Sequence, residues 1–154
     1  MGIETVEIDL VEDDIKKGFV MAENIDIPQV QIKSMNDTHS EEVVIINILL
    51  EQLNTKESFE TISESFENFI RHMQHHFRSE EKLMQEMQYP SFRMHKADHD
   101  KVLNETRYAQ MQWRNRKDIG AIKEYLEDEI LPWLNQHIQA MDRPMADFVV
   151  VRTS

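Results

Sequence analysis

Two pairs of residues repeat one spacing along this chain. His76 and Glu80 stand four apart within the stretch QHHFRSEEKLM, and His95 and His99 stand four apart within HKADH. An α-helix turns about 100° per residue, so positions four apart lie only about 40° apart and can share a target. His75 has no such partner, because Ser79 follows at four and Glu80, at five, lies about 140° away. Imidazole and carboxylate donors suit iron, zinc or manganese, and with no cysteine there is no thiolate to argue for a softer metal. A lone His–Glu pair at this spacing is commonly a surface interaction worth about 0.2–0.5 kcal/mol. Here Phe69, Phe77, Leu83 and Met84 border one pair, and Phe92, Val102 and Leu103 border the other, which turns both inward. Burying several imidazoles and a carboxylate without partners would cost several kcal/mol, an objection that a metal removes by engaging all their lone pairs at once.

Two more histidines extend the set. His39 opens the first helical pattern, and His137 lies near the end of the last, with Asp142 five residues further on. Five is the wrong spacing for a regular helix face. Pro144, however, disfavours helical geometry at Arg143, so the helix is expected to end near Asp142 and its final turn to swing that carboxylate back towards His137. The candidate ligands are therefore His39, His76, Glu80, His95, His99, His137 and Asp142. Two carboxylates among seven ligands suggest bridging, hence two metals. No histidine has a glutamate three residues before it, which argues against the Glu-x-x-His pairs of ferritin-like sites and against a ferroxidase.

Four helical patterns must hold these residues, over about 38–54, 58–87, 92–116 and 119–141. In the first, Val43, Ile46, Leu49, Leu50 and Leu53 form one stripe. Tyr89-Pro90-Ser91 separates the second from the third, and Gly120 sits near the next junction. Short connections between long helices predict an all-α, antiparallel up-down-up-down four-helix bundle over residues 36–142. Residues 1–35 read as an extended N-terminal arm. VEIDLVED alternates apolar and acidic residues like a short strand, and the tail 143–154, with ADFVVVRTS, is also strand-like and able to pair with it.

Composition agrees with a helical protein. Only three glycines and four prolines interrupt 154 residues, and ten methionines suit adaptable packing between helices. The net charge of −12 repels phosphate backbones and anionic lipid, so neither nucleic acid nor a membrane surface is expected as a partner. The acidic N-terminus lacks the basic and apolar regions of a signal peptide, and Val6 stands where a myristoylation signal needs Ser or Thr. The longest apolar run, Val43 to Leu50, is too short to span a bilayer. A cytoplasmic location is the expectation.

His39, HFRSEEKLM from His76, HKADH from His95 and WLNQHIQAMD from Trp133 occur in an order and spacing that resemble the bacterial hemerythrins over roughly residues 30–142. The resemblance implies a non-haem di-iron centre, two iron ions joined by an oxo or hydroxo bridge, that binds O2 reversibly inside the bundle. By position, one iron would take His95, His99 and His137, the other would take His39 and His76, and Glu80 and Asp142 would bridge them. O2 would then bind at the iron with two histidines. Trp133, Leu134 and Ile138 are similar to residues that line the family's O2 pocket. Asn36 stands where the family usually has an Asp, three residues before the first histidine; a neutral neighbour there would make His39 a weaker donor. The tryptophan that many members carry in the arm is missing, and the first twenty or so residues extend beyond the family pattern. Oxygen carriage, storage or delivery, rather than an enzyme activity, is the role implied. The alternatives are an O2 or redox sensor signalling through the arm, to a protein partner that the sequence does not name, and a di-iron redox enzyme. Of the other polar residues near the motifs, Glu81, Asp98 and Asp100 are expected on the solvated acidic face, and His72 at the edge of the core.

Overall fold

The computed structural model describes residues 27–154. Three long helices come first: α1 (Lys33–Asn54), α2 (Phe59–Glu86) and α3 (Phe92–Arg116). A fourth helical run follows as α4 (Ile119–Tyr125), π1 (Leu126–Ile130), α5 (Leu131–His137), π2 (Ile138–Asp142) and α6 (Arg143–Thr153). Every junction residue in that run keeps right-handed helical angles, so the five pieces form one rod. The expected all-α four-helix bundle is the observed fold, with no strand among the described residues.

The turns work without glycine. Lys56, Gln88 and Lys117 each take a left-handed conformation just past a helix end, with φ of 54°, 55° and 52°. The Ser58 side chain then accepts from the Thr61 N–H, and the Asp118 side chain from the Ala121 N–H, so α2 and α4 start on capped ends. Connections this short force antiparallel neighbours.

The apolar interior falls into two clusters. The larger one joins Ile46, Leu49 and Leu53 of α1 to Phe66, Phe69 and Ile70 of α2, Trp113 of α3 and Leu126. The smaller one gathers Val30, Met35, Val43, Met84, Leu134, Ile138, Met145 and Ala146. Of the candidate ligands, Glu80, His95 and His99 lie where α2 and α3 pass from one cluster to the other, His76 lies beside Phe77 at the end of the larger cluster, and His39, His137 and Asp142 lie among residues of the smaller one.

The C-terminal tail differs from expectation. It is the helix α6, and not a strand, although Phe148 to Val151 are strand formers by composition. The tail continues a helix already nucleated upstream, so it avoids the initiation cost, and it buries Met145, Ala146 and Val149 on one face. Nor does Pro144 end the helix: Arg143 is helical, with φ −62° and ψ −50°. A proline inside an α-helix lacks an N–H and collides with the carbonyl four residues back. Here Pro144 comes two residues after π2, and Pro132 comes two residues after π1. The wider turns displace the carbonyls that the proline rings would strike.

The described end of the arm, residues 27–32, does reach the C-terminal region, but through side chains. Gln31 Nε2 donates to Asp147 Oδ1 at 2.6 Å, and an Arg143 guanidinium nitrogen donates to the Gln29 carbonyl at 3.3 Å. α1 begins at Lys33, several residues before the expected start near Thr38. The VEIDLVED segment lies outside the described residues.

Candidate metal centre

Seven buried polar side chains from all four helices converge on one point. His39 (α1), His76 and Glu80 (α2), His95 and His99 (α3), His137 (α5) and Asp142 (π2) are each at most 4% exposed. They form two overlapping sets of possible metal donors: Glu80, His95, His99, His137 and Asp142 on one side, and His39, His76, Glu80 and Asp142 on the other.

The two carboxylates divide their oxygens between the sets. Glu80 Oε1 lies 3.3 Å from His95 Nε2 and 3.1 Å from His99 Nε2, while Glu80 Oε2 lies 2.5 Å from His76 Nε2 and 4.0 Å from His39 Nε2. Asp142 Oδ1 lies 3.1 Å from His95 Nε2 and 3.2 Å from His137 Nε2, while Oδ2 lies 2.9 Å from His39 Nε2. Except for His76 with Glu80, these close pairs lack hydrogen-bond geometry. The Nε2 atoms of His39, His95, His99 and His137, Glu80 Oε1 and both Asp142 oxygens are buried without a hydrogen-bond partner among the described residues. Lone pairs that crowd together without pointing at one another are aimed at a shared point. Orphaned atoms of this kind are costly unless something else engages them, and nitrogen and oxygen donors in this number fit a pair of first-row metal ions.

The spacing of His137 and Asp142 has a simple local cause. Residues five apart fall on different faces of an α-helix, but π2 runs with i→i+5 bonds over 138–142. The widened turn brings Asp142 below His137. The helix does not need to end for the carboxylate to reach the site.

Two carboxylates from outside the cluster hydrogen-bond its imidazoles, and a third stands within ion-pair distance of another. His137 Nδ1 bonds Asp98 Oδ2 at 2.6 Å, and His99 Nδ1 bonds Glu81 Oε2 at 2.9 Å. Asp98 and Glu81 are therefore not members of the solvated acidic face, whereas Asp100 is exposed and pairs with Lys96. The third is Glu42 of α1, which is 2% exposed. Its Oε2 lies 3.6 Å from His76 Nδ1, and its Oε1 lies 3.3 Å from His72 Nδ1. Glu42 had one signal in the sequence, its position three residues after His39, which places it on nearly the same helix face.

Ring packing completes the support. Phe77 stacks on His99 with centroids 3.9 Å apart and planes 6° apart, and Trp133 stacks on His137 at 4.5 Å and 19°. Leu134 and Ile138 belong to the smaller apolar cluster with Val43 and Met84, which are one turn beyond His39 and Glu80. Trp133 thus covers the three-histidine side, while Leu134 and Ile138 join residues that flank the two-histidine side. Asn36 turns away from His39: its amide pairs with both backbone groups of Val30, at 2.9 Å each, and ties the arm to α1. His75 is exposed. A groove of about 600 Å³ between α1 and α2, lined in part by Met35, His72, His76, Glu80 and Met145, reaches the two-histidine side.

Without metal, the cluster stores protons. Burial pushes the His137 imidazole down, but Asp142 and Asp98 outweigh it and raise its pKa to about 9. His76 is likewise raised, by Glu80 and Glu42 against burial, and His95 by Asp142 and Glu80. Burial favours protonated Glu80, Asp142 and Glu42, yet the facing imidazoles hold all three carboxyls below their usual range.

A four-helix bundle with two histidine groups joined by two carboxylates defines a bundle-core metal protein. The family model for the hemerythrin HHE cation binding domain matches residues 30–149. This chain belongs to the hemerythrin family. It is 29% identical to a bacteriohemerythrin of Aquifex aeolicus over 112 residues, 73% of this chain and 85% of that protein. It is also 33% identical to a bacteriohemerythrin of Ralstonia nicotianae over 86 residues, 54% of this chain and 60% of that one. No solved structure matches significantly. No helix among the described residues is long and apolar enough to cross a membrane.

Proposed function

We propose that this protein binds O2 reversibly at a di-iron centre held by His39, His76, Glu80, His95, His99, His137 and Asp142, for carriage, storage or delivery. The observation that carries this reading is the division of each carboxylate's two oxygens between a three-histidine and a two-histidine set. When bound, a pair of ferrous ions would lend the electrons that hold O2 and recover them when it leaves. The protein's own part is to orient and to exclude. Asp98 and Glu81 fix the rings of His137 and His99 through their Nδ1 atoms. Glu80 and Asp142 couple the two halves. The two-histidine set offers one protein donor fewer, so an outside ligand has its place there. Val43, Met84, Leu134 and Ile138 make one adjoining wall apolar, while the groove between α1 and α2 gives an outside ligand its way in.

The test is the iron content per chain with visible spectra of the reduced protein before and after O2 is admitted. About two irons per chain, as the donor set implies, and an absorption band that appears with O2 and fades when O2 is withdrawn, establish the reading. Rapid irreversible oxidation of two bound irons supports a sensor or a redox enzyme instead. One observation favours the sensor: Met35, at the base of the arm, lines the groove that reaches His76 and Glu80. In that case protease cleavage of the arm changes between the O2-free and the O2-exposed protein.

A further inference from the structure

Glu42 is surplus to the donor set, yet it is buried. It appears in neither group of possible metal donors, and its carboxylate faces two imidazoles of α2, His72 and His76, one turn apart. Burying a carboxylate is expensive unless charged or hydrogen-bonding partners compensate. Its surroundings say what the cost achieves. On the three-histidine side, His99 and His137 each have a carboxylate on Nδ1 and an aromatic ring stacked against them. On the two-histidine side, neither His39 nor His76 has a hydrogen-bond partner at Nδ1 among the described residues, and their rings meet edge-on with centroids 5.3 Å apart. His76 lines the groove, and the rings nearest it, His39 and Phe77, meet it edge-on and tilted and not stacked. Glu42 is the one carboxylate within ion-pair distance of its Nδ1 among the described residues. His72 secures the other Glu42 oxygen and is itself 3.5 Å from Glu41.

We propose that Glu42, tethered by His72, is the positioning residue of the two-histidine half: it holds the His76 ring with Nε2 towards Glu80 and so sets the metal affinity of that half alone. This rests on the metal-centre reading above. Carboxylate partners of metal-bound histidines typically change affinity by about 10–100-fold. Arg71, also on the groove, is a cation without an acceptor and cannot stand in for a carboxylate, and His75 is exposed.

The experiment titrates the metal-free full chain with Co(II), following the visible spectrum, in the wild type and in Glu42→Leu, Glu42→Gln and His72→Phe. The step lost in His39→Ala identifies the two-histidine half. In Glu42→Leu that step weakens about 10–100-fold while the other is unchanged. Glu42→Gln, close in shape and safe for the fold, shows a smaller weakening of the same step with an altered Co(II) spectrum, and His72→Phe falls between it and wild type. Equal affinities in Glu42→Gln and wild type overturn the proposal. So does a Glu42→Leu protein in which both steps weaken together with a lowered melting temperature, which marks a plain clamp between α1 and α2. A wild type that takes no Co(II) overturns the metal-centre reading itself, whereas two bound Co(II) with indifferent variants removes only the role of Glu42.

Discussion

The three-histidine and two-histidine halves of the candidate site offer the same donor types with different support. His99 and His137 are tied at Nδ1 to Glu81 and Asp98 and covered by Phe77 and Trp133. Among the described residues neither His39 nor His76 has a hydrogen-bond partner at Nδ1, and Glu42 stands 3.6 Å from that of His76, beside a groove. One half is built as an anchor and the other as a place with room beside it. The difference matters because an immobilised imidazole binds metal without first losing rotational freedom, while a looser half with fewer donors can accept an outside ligand. His95 tempers the contrast, since its Nδ1 is also unpartnered.

The largest test removes what the halves share. Glu80→Ala or Asp142→Ala is expected to abolish binding at both positions, read as metal content per chain. Each also leaves buried imidazoles uncompensated and should destabilise the metal-free protein by about 3–5 kcal/mol in denaturant unfolding. Next, His76→Ala should lower the content from about two metals to about one, because only one half loses a nitrogen. His75→Ala, at an exposed position, should change nothing; equal losses in both would break the helical register on which the site is built. Asp98→Asn should act on the other half only, weakening the metal bound by His95, His99 and His137 by about 10–100-fold in a chelator competition.

Acidity separates the empty site from a filled one. His137, His76 and His95 have raised pKa values, so their contribution to stability is complete below the ordinary imidazole value of 6.5 and is lost as pH rises through the folded values, about 9 for His137. Glu80 and Asp142 have lowered values, so their contribution is present above the ordinary 4.5 and 3.8 and is lost as pH falls through the folded values. The metal-free protein should therefore melt highest between pH 4.5 and 6.5 and lose stability towards pH 9. Metal displaces those protons, so affinity should rise over the same upper range. Calorimetry of the metal-free and metal-loaded forms checks both slopes. The smallest effect belongs to Asn36→Asp. It removes the donor to the Val30 carbonyl and should cost about 1 kcal/mol with metal affinity unchanged; a changed affinity would mean that position 36 acts on His39 after all.

Much of this was legible because helical periodicity is local. The pairs His76–Glu80 and His95–His99 need only a regular helix to share a face, and the breaks at Tyr89-Pro90-Ser91 and near Gly120 are where α2 and α3 end. The inward orientation also followed from the apolar residues beside each pair. Reading Pro144 as a helix end failed because a proline's preference was judged against an α-helix, and π2 supplies a wider turn. The strand-like tail became α6 because it inherits a helix and a buried face. Asp98 and Glu81 looked like surface acids because nothing local marks an acid that reaches across to a ring on another helix.

The sequence by itself determined the candidate donors, their spacing on α2 and α3, and the lengths that make four antiparallel helices, since each depends on residues within a turn or two of one another. The tertiary structure alone decided which carboxylate oxygen serves which half, which acid holds which imidazole, and that Asn36 holds the arm and not His39. Those outcomes depend on the packing of side chains from distant segments and on the two π turns in the fourth helix. No periodicity along the chain encodes either one.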